Sequence, residues 1–456
     1  MLLLSSNGRC SRLSWQQLLS SHDMDFDWDD DVLRVQVRRL QRGTSSRSAA
    51  CAKIRGCKRK QPTHGHGQGS APSAAQAKDS VGSKGRQKRS SKMANKRAKR
   101  PQYTPLASAW LTVKLARTCK TIRVGTECSG LESVMVAMET MGLQHRTQLQ
   151  FICEKDAAAR RLTLSHVCPS IVYEDITTRP VGSMPVCDVY ASGFPCQPWS
   201  TAGLSGGTHD RQGRGRIFPH IHDYIRVKAP TCFLLENVKG MTTRKHTDAF
   251  ANVLNSLRSG LDNKYMVSWR IVNTADFGLP QNRPRLYIIG MRRDALRDQT
   301  RFVWPRPVGC VPLASILESG EHGPDHQPKS GTTSEKNLHM LLDRLQENGG
   351  PPSCPASLDI FASTGRVSKC RKPMIGLVPC LTRTRAGSGG YWVTGVNRLL
   401  TTREMLRLQG LPDQFIKHAS TANVTDRQLR QMIGNAMSVN VLVTILSRLL
   451  PAVGLD

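Results

Sequence analysis

Between residues 121 and 291 short apolar runs alternate with amphipathic segments, and this alternation restricts the fold more than any other feature of the chain. Thr121-Ile122-Arg123-Val124 reads as a strand running into Gly125-Thr126-Glu127-Cys128-Ser129-Gly130. Behind it, Leu131, Val134, Met135 and Met138 recur at helical spacing and form one apolar face. Phe151-Ile152-Cys153 reads as the next strand, followed by the helical AAARRLTLSHV. Strands then follow at 171–173, 188–191, 233–238, 267–272 and 285–291, with helices around 217–228 and 247–259. Serial βα units of this kind predict an α/β protein built on a doubly wound, mostly parallel sheet. Such sheets bind ligands at the carboxyl ends of their strands.

Outside this stretch the pattern changes. Residues 301–395 are rich in Pro, Gly and Ser, with one helix expected around 335–347, and read as a small irregular insertion or second domain. Helical signals return at Thr402–Leu408 and in one long final helix from Gln428 to about Leu450. Residues 1–105 hold 22 Lys and Arg against 7 Asp and Glu, roughly half of the formal charge of +31. This segment lacks the apolar surface to offset its ordering entropy and is expected to be a disordered basic tail. Its clusters, such as Lys58-Arg59-Lys60 and Lys96-Arg97-Ala98-Lys99-Arg100, suit a nuclear-import signal, a phosphate-binding arm or a plain solubilising tail.

The charge and a pI near 10.1 point to a polyanionic partner. No apolar stretch reaches the roughly 20 residues that span a bilayer, so nucleic acid is favoured over a membrane. None of the 14 cysteines forms a C-x-x-C pair, and several, such as Cys153 and Cys232, sit in apolar runs. That usage predicts reduced, buried thiols of an intracellular protein, and no metal site. The start MLLLSSNGRC lacks a preceding positive region and a clear cleavage site, which predicts no secretory signal. The acidic run Asp23–Asp31 counts against an organellar leader, so the nucleus is the expected destination, with an organelle kept open.

Three short stretches carry chemistry. In Ala191-Ser192-Gly193-Phe194-Pro195-Cys196-Gln197, a cysteine sits just past a strand end, where a parallel-sheet enzyme places a nucleophile. Glu236-Asn237-Val238 ends another apolar strand, and a carboxyl group there could hold N3 of a pyrimidine. Gln281-Asn282-Arg283-Pro284-Arg285 sets two guanidinium groups before a strand, suited to a carboxylate or a phosphate. Taken singly, each has an ordinary reading: a core thiol, a solvated acid, a surface basic pair.

In order and spacing, G-F-P-C-Q, E-N-V and Q-x-R-x-R, then a variable region, then R-E-x-x-R-L-Q-G-L-P (403–412) and I-G-N-A-M (433–437), closely resemble the C5-cytosine DNA methyltransferases. The resemblance covers residues 121 to about 450 and implies a Rossmann-like S-adenosyl-L-methionine-dependent methyltransferase fold. It implies a core over 120–300 that binds donor and cytosine, a target-recognition region over 301–395, and helices over 396–450 that return to the core.

On this resemblance Cys196 is the thiolate that adds to C6 of cytosine. Glu236 holds or protonates N3, Arg285 orients Glu236 and contacts the base carbonyl, and Arg283 binds phosphate or braces the loop after Cys196. The methyl donor, S-adenosyl-L-methionine, falls to Ser129, Gly130 and Leu131 for its methionine part and Glu154 for its ribose hydroxyls. Asp175 and Ile176 would take the adenine, and Gly193, Pro195, Asn435 and Ala436 would close the pocket. The chain departs from the usual pattern at Cys128, Glu132 and Lys155, which stand in place of an aromatic, a glycine and an adenine-packing residue. The partner implied is double-stranded DNA, bound by a monomer, with the target base rotated out of the stack. The glycine-rich segment Gly203–Phe218, with Arg211, Arg214 and Arg216, would close over that base, and Thr382–Arg385 with Tyr391 and Trp392 would read its surroundings. Two alternatives stay open. One is a tRNA cytosine methyltransferase, a branch marked by C-F-T where this chain has Cys380-Leu381-Thr382. The other is an inactive DNA-binding chromatin protein.

Overall fold

The computed structural model describes residues 120–195, 216–297, 301–320, 323, 326–348, 353–361 and 372–455. The basic segment 1–105, Cys196 and residues Gly203–Gly215 of the glycine-rich segment lie outside the described residues. Seven strands form the central sheet: β1 (Ile122–Glu127), β2 (Thr147–Cys153), β3 (Ile171–Tyr173), β4 (Val189–Ser192), β5 (Cys232–Val238), β6 (Tyr265–Asn273) and β7 (Pro284–Arg292). Their order is β3-β2-β1-β4-β5-β7-β6. The pairs among β1 to β5 are parallel, whereas β7 lies antiparallel to both β5 and β6. The short link from β6 to β7 explains that reversal, because a parallel return would need a crossover of a dozen or more residues.

Ten helices are described: α1 (Ser133–Thr140), α2 (Ala157–Leu164), α3 (Phe218–Lys228), α4 (Thr247–Leu257), α5 (Thr333–Glu347), α6 (Arg383–Gly387), α7 (Thr402–Leu408), α8 (Phe415–Thr421), α9 (Asp426–Asn435) and α10 (Val439–Ala452). Strand periodicity builds a core on each face of the sheet. Val189, Ala191, Cys232, Leu234, Tyr287 and Ile289 pack with α1, α2 and α10. The intervening Tyr190, Phe233, Leu235, Leu286 and Ile288 pack with α3 and α4. The strand order turns back between β1 and β4, which opens a crevice at their carboxyl ends.

Two expectations need correction. The final helix is not continuous: α9 and α10 meet at a 40° bend. Ala436 (ψ 147) and Ser438 (ψ 119) are extended, and carbonyls at the break find partners from other segments. Arg283 donates to Gly434 and Ala436, and Gln409 donates to Ile433. Apolar spacing runs through the break, so periodicity alone joins the two helices. Residues 301–395 are also less irregular than expected. Beside α5 lies a four-stranded sheet of strands two or three residues long: Met374–Ile375, Ala356–Leu358, Trp392–Val393 and Arg398–Leu399, in that order. Leu338, Leu341, Leu358, Ile360 and Trp392 form its small core. Strands this short carry no legible alternation.

The R-E-x-x-R-L-Q stretch is structural. Glu404 caps α7 through Thr401 and takes a bidentate pair of hydrogen bonds from buried Arg398, at 2.7 and 2.9 Å. Arg403 pairs with Glu318, and Arg407 with Asp413. Of the cysteines singled out, Cys153 and Cys232 are buried, but Cys168, Cys310 and Cys354 are exposed, so burial is not general. No single helix among the described residues is long and apolar enough to cross a membrane.

Two tests follow from packing and burial. A Cβ on Gly434 would lie 2.4 Å from the Thr382 carbonyl oxygen, a backbone atom that cannot rotate away. Gly434→Ala should therefore cost about 1–3 kcal/mol, read as a lowered Tm in thermal unfolding; an unchanged Tm rejects this contact. Glu132 begins α1 with a left-handed backbone (φ 55), is 1% exposed and accepts a hydrogen bond from Thr126 at 2.6 Å. Burial pushes its carboxyl group up to about 7. The folded chain then binds the proton more tightly than the unfolded one, so this group costs stability as pH rises from the ordinary carboxylate range through 7. Glu132→Gln should remove up to about 3 kcal/mol of that decline, visible as a flatter Tm between pH 5 and pH 8.

Candidate active site

A cavity of about 420 Å³ opens at the carboxyl ends of β1 to β5, on the crevice where the strand order turns. Ser129, Gly130 and Leu131 reach it from β1, Glu154 from β2, Asp175 and Ile176 from β3, and Gly193 and Pro195 from β4. Asn435 and Ala436 line it from the α9–α10 break, and Glu236, Arg283 and Arg285 from β5 and β7. The described residues expected to meet the donor and the base thus converge on one hollow, whereas Thr382, Arg385, Tyr391 and Trp392 do not line it. Cys196 lies outside the described residues; its chain neighbour Pro195 is the last described wall residue on that side.

The β1 loop is fixed by internal bonds. The Ser129 hydroxyl shares a hydrogen bond with Thr126 and receives one from the Cys153 amide, so it braces β1 against β2. Gly130 adopts φ +55, its amide donates to Glu154 at 2.9 Å, and its carbonyl accepts from Thr163 on α2. The other Glu154 oxygen accepts from the Asp156 amide at 2.9 Å. Asp175 accepts from the Thr177 amide and hydroxyl and pairs with Lys155 at 2.8 Å. The Lys155 hydrogen bond, followed by that from the Thr177 backbone, holds the Asp175 carboxyl down at about 2, so it is ionised at neutral pH.

These walls fit S-adenosyl-L-methionine. Two carboxylates at successive strand ends can accept from ribose hydroxyls and an exocyclic amine, buried Ile176 and Phe194 offer apolar faces, and the space around Gly130 leaves its backbone approachable.

Opposite them stands a charged cluster. Val238 lies directly across from Arg285 in the β5–β7 register, which sets Glu236 diagonal to that arginine. The Arg285 Nε reaches Glu236 Oε1 at 3.1 Å. Burial pushes the Glu236 carboxyl above its ordinary range, opposed by Arg285 and Arg283. A protonated carboxyl group can donate a hydrogen bond, and an ionised one cannot. Arg283 departs from its expected phosphate role. It is 2% exposed, and its guanidinium donates to the carbonyls of Leu381 (2.5 Å), Gly434 (3.2 Å) and Ala436 (2.7 Å). A group so enclosed ties its own stretch of chain to two other segments, at 381 and at 434–436, and presents no surface to a nucleic-acid backbone.

Sequence reasoning passed over three residues here. Asn237 donates from its amide to the Phe194 carbonyl at 3.3 Å and so ties β5 to the segment that leads into Cys196. Gln281, fully buried, donates to the Leu408 carbonyl and accepts from the Leu381 amide. Cys380 touches both arginines, at 3.3 Å from Arg283 and 3.2 Å from Arg285. The first two belong to motifs already noted, and their polarity between apolar neighbours is the available signal. Cys380 enters the sequence reading only as the start of the Cys380-Leu381-Thr382 string, and nothing in that string shows that it meets the arginines. Among the described residues no group of three or more His, Cys, Asp or Glu is placed to hold a metal ion.

Comparison with known proteins agrees with this geometry. A family model described as C-5 cytosine-specific DNA methylase matches residues 127–450. The type II methyltransferase M.NgoBI of Neisseria gonorrhoeae is 33% identical over 331 residues, covering 71% of this chain and 92% of the relative. M.HaeII of Haemophilus aegyptius is 34% identical over 274 residues, covering 60% of this chain and 77% of the relative. Among solved structures, the Entamoeba histolytica methyltransferase EhMeth superposes with a TM-score of 0.52 at 16% identity, over 73% of this chain and 98% of that one, which supports the fold. The chain belongs to the C-5 cytosine-specific DNA methylase family and is a DNA cytosine-5 methyltransferase that takes its methyl group from S-adenosyl-L-methionine.

Proposed function

We propose that this cavity holds donor and target cytosine side by side, with Glu154, Asp175 and Ile176 on the donor and Glu236 and Arg285 on the base. The observation that carries the reading is that Glu236, raised by burial, and the β1–β3 loops line a single hollow. The bound donor supplies an electrophilic methyl group. Asp175, ionised, accepts from the adenine amine; Glu154 accepts from the ribose; and Ile176 packs on the ring.

On the other side the Cys196 thiolate adds to C6 while Glu236 gives a proton to N3. The electron pair gathers at C5, which takes the methyl group: the new carbon–carbon bond forms as the donor's methyl–sulfur bond breaks, and the demethylated thioether is the leaving group. Loss of the C5 proton to a base, return of the N3 proton to Glu236 and expulsion of the thiolate restore the ring. Arg285 steadies Glu236 and donates a hydrogen bond to the base carbonyl. A base stacked inside a duplex cannot present C5 and C6 to groups on opposite faces of its ring, so the cytosine leaves the double helix, at a cost of a few kcal/mol. Residues 301–395, with Arg383 at the cavity rim, read the surrounding sequence, whereas Tyr391 and Trp392, each 4% exposed, are packed in the core and offer no surface for that task. The basic clusters of residues 1–105 direct the protein to the nucleus.

Duplex DNA carrying 5-fluorocytosine at the target site should trap a covalent complex at Cys196, mapped by peptide mass spectrometry, and Cys196→Ala should form none. Catalytic turnover without any such complex would reject the mechanism. Glu236→Gln should lower kcat by about 10²–10⁴-fold while leaving donor affinity unchanged, as measured by calorimetry. A fluorescent fusion of residues 1–105 should concentrate in nuclei, and an even cellular distribution would reject the import reading.

A further inference from the structure

Cys380 takes no part in the reaction set out above, yet it sits in the charged cluster. Parallel pairing of Val378 with Gln281 and Pro379 with Asn282 carries Cys380, one step further on, alongside Arg283. Its Sγ accepts from Arg283 Nη1 at 3.3 Å and from Arg285 Nη2 at 3.2 Å. The contact from the sulfur toward the Leu381 carbonyl, 3.7 Å, is longer than either. A sulfur that receives two cationic donors is favoured as a thiolate, since hydrogen bonds to ionised groups are about twice as strong as neutral ones. Burial pushes this thiol up, but Arg285 and Arg283 outweigh it and leave it below its ordinary value.

Arg285 therefore serves two side-chain acceptors, Glu236 through Nε and Cys380 through Nη2, besides the Pro284 carbonyl through Nη1. Among the described residues, the other titratable groups against the cluster are Tyr287, a buried phenol that burial and Glu236 keep neutral, and Tyr391, whose hydroxyl donates to the Cys380 carbonyl at 3.0 Å. Two guanidinium groups facing one carboxylate carry an excess positive charge, which favours ionised Glu236. A second anion cancels that excess.

We infer that Cys380 is a positioning residue whose negatively charged sulfur holds Arg283 and Arg285 and leaves Glu236 able to carry the proton that it delivers to N3. The inference rests on the reading of Glu236 as the proton donor to the base. It gives the side chain at 380 a part in setting the working pH of the enzyme without contact with substrate.

Two measurements test it. In the wild-type enzyme, alkylation of Cys380 by iodoacetamide, followed across pH by peptide mass spectrometry, should show a midpoint below the ~8.5 of a free thiol. A midpoint at or above that value, or no labelling below pH 9, overturns the proposal. Second, the pH profile of kcat/KM for DNA should lose its basic limb about one pH unit earlier in Cys380→Ser, because Glu236 ionises more readily. Cys380→Asp should move the limb back toward the wild-type position, with donor binding and Tm as controls for folding. A Cys380→Ser limb that coincides with wild type, or one that Cys380→Asp fails to move, overturns it. Glu236→Gln run alongside separates the two readings. If it stays fully active, the role of Glu236 fails; if it is inactive and the Cys380→Ser limb is unmoved, only the role of Cys380 fails.

Discussion

A carboxyl group enclosed beside a guanidinium is the constraint on which this site depends. Glu236 can neither shed its charge into water nor escape Arg285, and the balance between desolvation and attraction sets whether it carries a proton. The fold supplies both halves of that balance. β5 is buried along nearly its whole length, which desolvates the acid, and the antiparallel strand β7 inserts next to it and brings the arginine to its carboxyl end. A wholly parallel sheet would put the next strand's carboxyl end there, with no reason for a pair of arginines at that height.

The main outline was legible in the sequence because it rests on periodicity. Alternating apolar runs gave the strands of the central sheet, and polar residues just past them gave the walls of the cavity. Glu236 is legible at the end of an apolar run, which is where such a sheet displays side chains, whereas Glu154 and Asp175 read as ordinary strand-end acids until the family resemblance assigns them. What stayed hidden depends on tertiary partners. The α9–α10 break shows only in the carbonyls that Arg283 and Gln409 satisfy, and the helical spacing of apolar residues passes through it. Arg283 itself reads as a surface cation until the three carbonyls around it are seen. Cys380 lies 95 residues from Arg285, and its local string gives no sign that the two meet.

The departures in the first loop make structural sense. Glu132 is buried and bonded to Thr126, whose hydroxyl also meets Ser129, so the loop is tied through a side-chain chain as well as through its backbone. Both Cys128 and Glu132 hold left-handed backbone angles that glycine adopts more easily, which places the cost of the substitutions in the backbone and their compensation in those hydrogen bonds. The pocket itself keeps its acidic and apolar walls.

The pairing of residues 281–282 with 378–379 has a wider consequence. Two stretches almost a hundred residues apart in sequence are clasped at the mouth of the cavity, with Gln281 and Arg283 gripping the returning chain at Leu381. Everything between them departs and comes back through one fixed gate. Length and composition can therefore drift in that intervening segment while the groups lining the cavity keep their places.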